Sequence, residues 1–174
     1  REKDIIALKT VENVYLRFSV DSWGLSNEWT RQGCDWKETL QVMEQYHKHF
    51  RLHVWDITAN VLSVRSIPKL IKFLWETYPD VKVQIRPVIN KTEVLMENIP
   101  DRFKAESLAF FEEHKARLEG VDHVINEMKR PFNNDMKRKL TVRKFVDYYD
   151  KHGTVTFESF DPELADWIWN DAEE

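Results

Sequence analysis

Cysteine and glycine are both scarce in this chain of 174 residues. The single cysteine, Cys34, excludes an internal disulfide and any metal site that the chain could build from cysteines alone. Only four glycines occur, and neither GxGxxG nor GxxxxGK[ST] is present. The sequence therefore lacks both of these glycine-rich loops for nucleotide phosphates.

Long apolar runs and a strong net charge are also missing. No stretch approaches the roughly eighteen apolar residues that a membrane-spanning helix needs, and no signal peptide is visible. Together with the single cysteine, this predicts a reducing, cytoplasmic location. The formal net charge of −4 predicts no general attraction to nucleic acid or to an anionic membrane.

The basic segment, residues 129–144, is a local exception to this charge balance. Its cations face a single acid, Asp135; they are Lys129, Arg130, Lys137, Arg138, Lys139, Arg143 and Lys144. We interpret the segment first as a solvated, charged surface. A site for an acidic partner or a nucleic acid is the alternative, and its binding would depend strongly on salt.

What the chain does contain is enough apolar and aromatic material for a core, at 42% and 13% of residues. Alternation of apolar and polar residues predicts strands over 14–20, 52–58 and 81–88, and helical spacing predicts helices over 35–49 and 66–78. A further helix near 101–119 would end at Gly120. Asp35 and Ser66 are the expected N-caps of the first two of these helices.

Strict alternation of strands and helices predicts parallel strands joined by right-handed crossovers. Three strands cannot close a barrel, so the fold class is α/β, a partial (β/α) barrel fragment followed by a mainly helical region. We expect half of a barrel over 1–120 and a helical extension over 121–174. Because the chain begins at Arg1 rather than Met and enters a helix-like segment almost at once, we expect it to be part of a longer protein.

Polar residues follow each predicted strand, at the edge where sites form in α/β sheets. They are Ser19, Asp21 and Ser22 after the first strand, Thr58 and Asn60 after the second, and Asn90 after the third. The same residue types are also the ordinary turn formers at strand ends, so position alone leaves both interpretations open.

The stretch FSVDSWGLSNEWTRQGCDW, residues 18–36, resembles the pattern SIDG-x-GE-x-NEYIR-x-G-x-x-W of radical S-adenosylmethionine (SAM) enzymes. The matching positions are Ser19, Asp21, Gly24, Asn27, Glu28, Arg31, Gly33 and Trp36. Residues 52–70 resemble the strand and Asn-containing loop that follow in that family. Near the end, Pro162, Glu163 and Leu164 match its closing PEL segment. Ser22 stands where the family usually has glycine, and the family's CxxxCxxC and GGEP-like runs are absent.

The resemblance implies a C-terminal half that contacts SAM and forms one wall of a substrate cavity. Ser19 or Asp21 would bind the SAM ribose, Arg31 its carboxylate, and Asn60, with the backbone after Val88, would flank the adenine. The [4Fe–4S] cluster would be held only by a missing N-terminal half. A longer parent protein would then be a radical SAM enzyme, and this chain alone could not generate the radical.

A second hypothesis, from another class, is a catalytically inactive half-barrel that serves as a scaffold for a protein partner. In either case we expect the edge of the first strand to be covered by the missing N-terminal half or by a second chain. The six histidines are scattered and include no HExxH motif, so no metal site is predicted.

Overall fold

The computed structural model describes residues 2–89 and 91–170. Its four strands are β1 (Tyr15–Ser19), β2 (Arg51–Ala59), β3 (Lys82–Pro87) and β4 (Leu118–Glu119). Its α-helices are α1 (Glu2–Lys9), α2 (Leu25–Thr30), α3 (Trp36–His49), α4 (Ile67–Thr77), α5 (Ala105–Glu113), α6 (Val121–Met128), α7 (Met136–His152) and α8 (Pro162–Asn170).

All strand pairs are parallel, and the strands lie in the order β1-β2-β3-β4. The α/β fold with three predicted parallel strands is thereby confirmed, and β4 adds a short fourth strand. Sequential order is the order that consecutive βα units produce. It brings the carboxyl ends of β1, β2 and β3 to one edge of the sheet.

The two faces of the sheet differ sharply, because side chains alternate along each strand. On one face Trp55, Ile57, Val83 and Ile85 are each 2% exposed or less. Residues with polar side chains occupy the other face, which we call the open face: Arg17, Ser19, Asp56, Thr58, Lys82, Gln84, Arg86 and Glu119. No described element covers it, since most of these residues are exposed and the rest are half-buried.

The predicted caps have different outcomes in the two long helices. The side chain of Asp35 accepts a hydrogen bond from the Glu38 backbone N–H at 2.6 Å, which confirms Asp35 as the N-cap of α3. Ser66 does precede α4, but its side chain makes no capping bond. Instead its hydroxyl donates to the Ser63 carbonyl at 3.0 Å and accepts from the Trp23 N–H at 3.3 Å.

The prediction of one helix near 101–119 is wrong, because several shorter elements occupy this segment. Residues 101–103 form a 3-10 turn, α5 ends at Glu113, a second 3-10 turn covers 115–117, and β4 pairs with β3. Gly120 therefore precedes α6 rather than ending a helix, and it has φ 80° and ψ 0°. A Cβ there would lie 2.7 Å from the Ile85 carbonyl oxygen, so the chain needs glycine where it passes β3.

The predicted helical region over 121–174 contains three α-helices in its described part: α6, then α7 over Met136–His152 and α8 over Pro162–Asn170. Their buried residues Val142, Val146 and Leu164 belong to the same continuous core cluster as Trp55 and Leu70. Packing of this region against the sheet half places α7 beside the carboxyl edge of the sheet.

Candidate functional site

A cleft of about 450 Å³ opens at the carboxyl ends of β1, β2 and β3. Parallel sheets place ligand sites at this edge, and the volume lies within the range of small-molecule pockets, about 300 to 1,000 Å³. Its polar lining residues are Asp21, Thr30, Thr58, Asn60 and Lys91, and its apolar lining residues are Trp29, Pro87, Val88, Ile89, Val94, Phe145 and Tyr149. Asn90 lies outside the described residues.

Asp21 is fixed in the cleft by three contacts. Its backbone N–H donates to Asn27 Oδ1 at 3.1 Å. Its carboxylate accepts from the Thr58 backbone N–H at 3.0 Å through Oδ1 and from Arg31 Nε at 2.8 Å through Oδ2. The Asp21 side chain is only 14% exposed, so the loop after β1 and the end of β2 hold this carboxylate in one place.

Arg31 therefore lies next to Asp21, as its ion-pair partner, and only its neighbour Thr30 lines the cleft. Ser19 lies elsewhere: it is exposed on the open face, paired in register with Asp56. Of the four residues singled out by the resemblance, the structure brings Asp21 and Asn60 into one cleft and attaches Arg31 to it through Asp21.

Asn60 shapes the turn that follows β2. Its Oδ1 accepts hydrogen bonds from the Leu62 N–H at 2.9 Å and the Ser63 N–H at 3.1 Å. The acceptor end of the side chain is thereby committed to the backbone, and its amide NH2 is the end left to meet a ligand.

Other positions of the resemblance organise the loop between β1 and α3. Gly24 has φ 61° immediately before α2, a conformation that favours glycine. Asn27 is 1% exposed and holds Asp21, as described above. Glu28 Oε1 accepts a hydrogen bond from the Trp36 N–H at 2.7 Å, at the start of α3. Asn27 thus positions Asp21, whereas Gly24 and Glu28 stabilise the loop around it, and none of the three lines the cleft.

An aromatic wall formed by Trp29, Phe145 and Tyr149 closes one side of the cleft. The Phe145 and Tyr149 rings stack with centroids 4.5 Å apart, and Trp29 lies 5.0 Å from Tyr149. The Trp29 indole N–H donates to Asp150 Oδ1 at 2.7 Å. Sequence reasoning missed this wall, because α2 and α7 are far apart in the chain and neither helix has a motif that marks the contact.

The open face carries a polar ladder that sequence reasoning also missed. Arg17 donates to both carboxylate oxygens of Asp56, at 2.9 and 3.0 Å, and to Gln84 Oε1 at 2.9 Å. Arg86 donates to the same Gln84 oxygen at 2.9 Å, and Gln84 Nε2 donates to Glu119 at 3.0 Å. The alternation of these residues with buried ones along each strand was the available signal.

The closing segment docks α8 against the loop after β2. Arg65 pairs with Asp161 at 2.7 Å and with Glu163 at 2.6 Å, and Asp161 also accepts from the Leu164 N–H at 3.2 Å. Burial raises the pKa of Asp161 above its ordinary value, although the Arg65 charge opposes the rise. Glu163, which matches the family's closing segment, therefore has a structural role as a partner of Arg65. A second cavity of about 340 Å³ lies beside these contacts.

Within the basic segment, described acids and aromatic rings engage several of the cations. Lys129 pairs with Glu112 at 2.7 Å, Arg130 with Glu127 at 2.9 Å, and Arg138 with Glu97. The Lys139 and Arg143 cations each lie 4.8 Å from a tryptophan ring centroid, on Trp167 and Trp169 respectively. The segment is therefore a locally compensated surface more than an open cationic patch.

The described residues do not fit an iron–sulfur cluster. The Cys34 thiol lies 2.9 Å from the Thr39 hydroxyl and 3.7 Å from Asn27 Nδ2, which are contacts within the loop. Over residues 2–89 and 91–170, no group of three or more His, Cys, Asp or Glu side chains is arranged to hold a metal ion. The cluster expected from the resemblance would need ligands from outside these residues.

In the part of the chain that the structure describes, every helix is too short or too polar to cross a membrane. Comparison of the chain with protein-family models, with curated proteins and with solved structures finds no match.

Proposed function

We propose that this chain is the C-terminal part of a radical SAM enzyme. In this proposal the cleft holds the nucleoside part of SAM, and the open face forms a wall of the substrate cavity. The observation that carries the proposal is the meeting, in one cleft of about 450 Å³, of a fixed carboxylate, an amide and an aromatic wall at the carboxyl ends of three parallel strands.

Asp21 is the proposed contact of the ribose. Each of its carboxylate oxygens already accepts one hydrogen bond, from Thr58 or Arg31, and keeps further acceptor capacity for a ribose hydroxyl. Arg31 engages Asp21 through Nε, which leaves its terminal nitrogens for the SAM carboxylate. Ser19 belongs to the wall of the substrate cavity, because it lies on the open face.

The adenine would lie between Asn60 and the aromatic wall. The free amide NH2 of Asn60 suits a ring nitrogen acceptor, and Val88 and Ile89 line the same cleft. Stacked Phe145 and Tyr149 offer a flat apolar surface, against which an aromatic base packs favourably.

SAM supplies radical chemistry only when a [4Fe–4S] cluster delivers an electron to it, and the described residues do not fit that cluster. The proposal therefore assigns the three cluster cysteines to polypeptide outside these 174 residues. The role of this chain is to bind and orient SAM and to shape the substrate cavity.

Titration of the ¹⁵N-labelled chain with SAM, followed by NMR, tests the proposal. Shifts should concentrate at Thr30, Thr58, Asn60 and Val88. Asp21→Asn keeps an acceptor for the Thr58 N–H but removes the charge, and should raise the Kd for SAM about tenfold or more. Asp166→Asn, at an exposed site on α8, is the matched control and should leave the Kd unchanged. Equal affinities of the two variants, or shifts scattered over the surface, would contradict the proposal.

A second candidate function is that of a scaffold, and the terminal position of β1 in the sheet favours it. Tyr15 on β1 is 61% exposed, so this edge offers backbone and side-chain contacts to another strand. Both candidates predict that a further segment or a second chain covers β1. Elution of the purified chain as a well-behaved 20.9 kDa monomer would count against that covered edge. A partner that copurifies with a chain devoid of SAM affinity would favour the scaffold.

A further inference from the structure

Two arginines on the open face share one neutral acceptor. Gln84 Oε1 accepts from Arg17 and from Arg86, each at 2.9 Å. The Gln84 amide cannot turn around without losing both bonds, because its Nε2 also donates to Glu119 at 3.0 Å. The ladder therefore holds both guanidinium groups in defined positions.

The charges of these two arginines are balanced differently. Arg17 forms a bidentate ion pair with the Asp56 carboxylate. For Arg86 the described residues provide no carboxylate within ion-pair distance, and the Arg86 guanidinium bonds instead to the neutral oxygen of Gln84. An oriented guanidinium that is bonded to an amide keeps both its charge and most of its N–H donors for an external anion.

Arg86 lies at the rim of the cleft. Its register partner on β2 is Thr58, which lines the cleft, and it is followed by Pro87 and Val88, which line it too. Lys91 supplies a second cation to the lining and likewise has no described carboxylate partner. The Arg86 guanidinium reaches back along β3 to Gln84 on the open face, whereas Lys91 lines the cleft. Two cations without a described carboxylate partner therefore lie on either side of the boundary between the open face and the cleft.

We propose that Arg86, assisted by Lys91, binds an oxyanion, a phosphate or a carboxylate, of the substrate. The anion site itself follows from the ladder; its assignment to the substrate rests on the function proposed above. Planar guanidinium matches either oxyanion with two parallel hydrogen bonds, so the shared chemistry is a bidentate oxyanion. The substrate class is thus an anionic molecule that extends from the open face to the cleft.

The test uses inorganic phosphate and, separately, acetate as probes of the ¹⁵N-labelled chain, observed at the arginine Nε–Hε and backbone signals. We expect Arg86→Gln to raise the apparent Kd for the better probe about tenfold or more. Arg86→Lys should raise this Kd by a smaller factor, because lysine keeps the positive charge but lacks the planar guanidinium that makes two parallel hydrogen bonds. A dispersed spectrum of each variant shows that it folds.

Lys82→Gln is the matched control. It removes the same charge from the same strand and the same face, and the Lys82 Cα lies about 13 Å from that of Arg86, at the amino end of β3. No described hydrogen bond joins the Lys82 side chain to the ladder, and Lys82 does not line the cleft, so the Kd should change less than about twofold. No shift of the Arg86 signals, or equal losses in Arg86→Gln and Lys82→Gln, would overturn the anion site.

SAM affinity separates this inference from the proposed function. If Arg86→Gln weakens the binding of SAM as much as the binding of phosphate, the anion bound by Arg86 is the carboxylate of SAM itself and the substrate assignment fails. If SAM does not bind the unaltered chain while phosphate binding depends on Arg86, the proposed function fails and the anion site stands. Unchanged SAM affinity with lost phosphate binding is the result we expect.

Discussion

Gly120 permits the sharpest test of the architecture that carries the site. It has φ 80°, and a Cβ added there would meet the Ile85 carbonyl oxygen at 2.7 Å. Because that oxygen is strand backbone, β3 or the loop must move to accept a side chain. Ile85 directly precedes Arg86, so this contact also supports the end of β3 that forms the rim of the cleft.

Gly120→Ala should lower the free energy of unfolding by about 2 to 4 kcal/mol. A left-handed backbone costs alanine about 1 to 2 kcal/mol, and forced displacement of packed structure costs about 1 to 3 kcal/mol. Alanine also lowers the conformational entropy of the unfolded chain, which offsets about 0.4 to 1 kcal/mol of these costs.

Gly33→Ala is the matched control. Gly33 has φ 84°, and nothing lies within 4 Å of the added Cβ, so only the backbone conformation is penalised. We expect a loss of about 1 kcal/mol or less. Urea unfolding followed by tryptophan fluorescence, with a slope of about 2 kcal/mol/M, should place the Gly120→Ala midpoint about 0.5 to 1.5 M below that of Gly33→Ala. Equal midpoints would refute the close approach to β3.

Two further predictions concern carboxylates of the C-terminal region. Asp150→Ala leaves the Trp29 indole N–H and the Phe157 N–H without their acceptor, at 2.7 and 2.9 Å, and should cost about 2 to 4 kcal/mol in urea unfolding. Asp147→Ala on the same helix loses only an exposed ion pair and should cost about 0.5 kcal/mol or less; similar costs would contradict this difference. For Asp161, burial raises the pKa in the folded protein, so the folded state binds this proton more tightly than the unfolded chain does. The unfolding free energy relative to Asp161→Asn should therefore fall as pH rises from about 4 through the folded pKa, then level off; a difference that is flat or rises with pH would contradict it.

Local signals predicted much of the fold. Alternation located β1, β2 and β3, and Asp35 fixed the start of α3 because a cap needs only neighbouring residues. The short α2 was missed because residues 21–27 contain turn-forming types, whereas Asn27 and Glu28 bond to the surrounding loop and stabilise the helix there. The break after Glu113 follows from pairing of β4 with β3, a contact that helical spacing does not reveal.

The candidate site was predictable only in part. Strand ends pointed to Asp21 and Asn60, and both line the cleft. The pairing of Asp21 with Arg31 and the aromatic wall from α7 depend on contacts between distant segments, such as Trp29 with Asp150. No local pattern encodes which helix closes a cleft, so that information appears only when the tertiary structure is formed.

The central claim is that these residues belong to a SAM-dependent radical enzyme. Anaerobic purification of the native polypeptide that contains them, with its intact mass, iron and sulfide measured together, tests that claim most directly. The account predicts a polypeptide longer than 20.9 kDa that carries about four irons per chain. A native species of 20.9 kDa without iron would contradict it and would favour the scaffold.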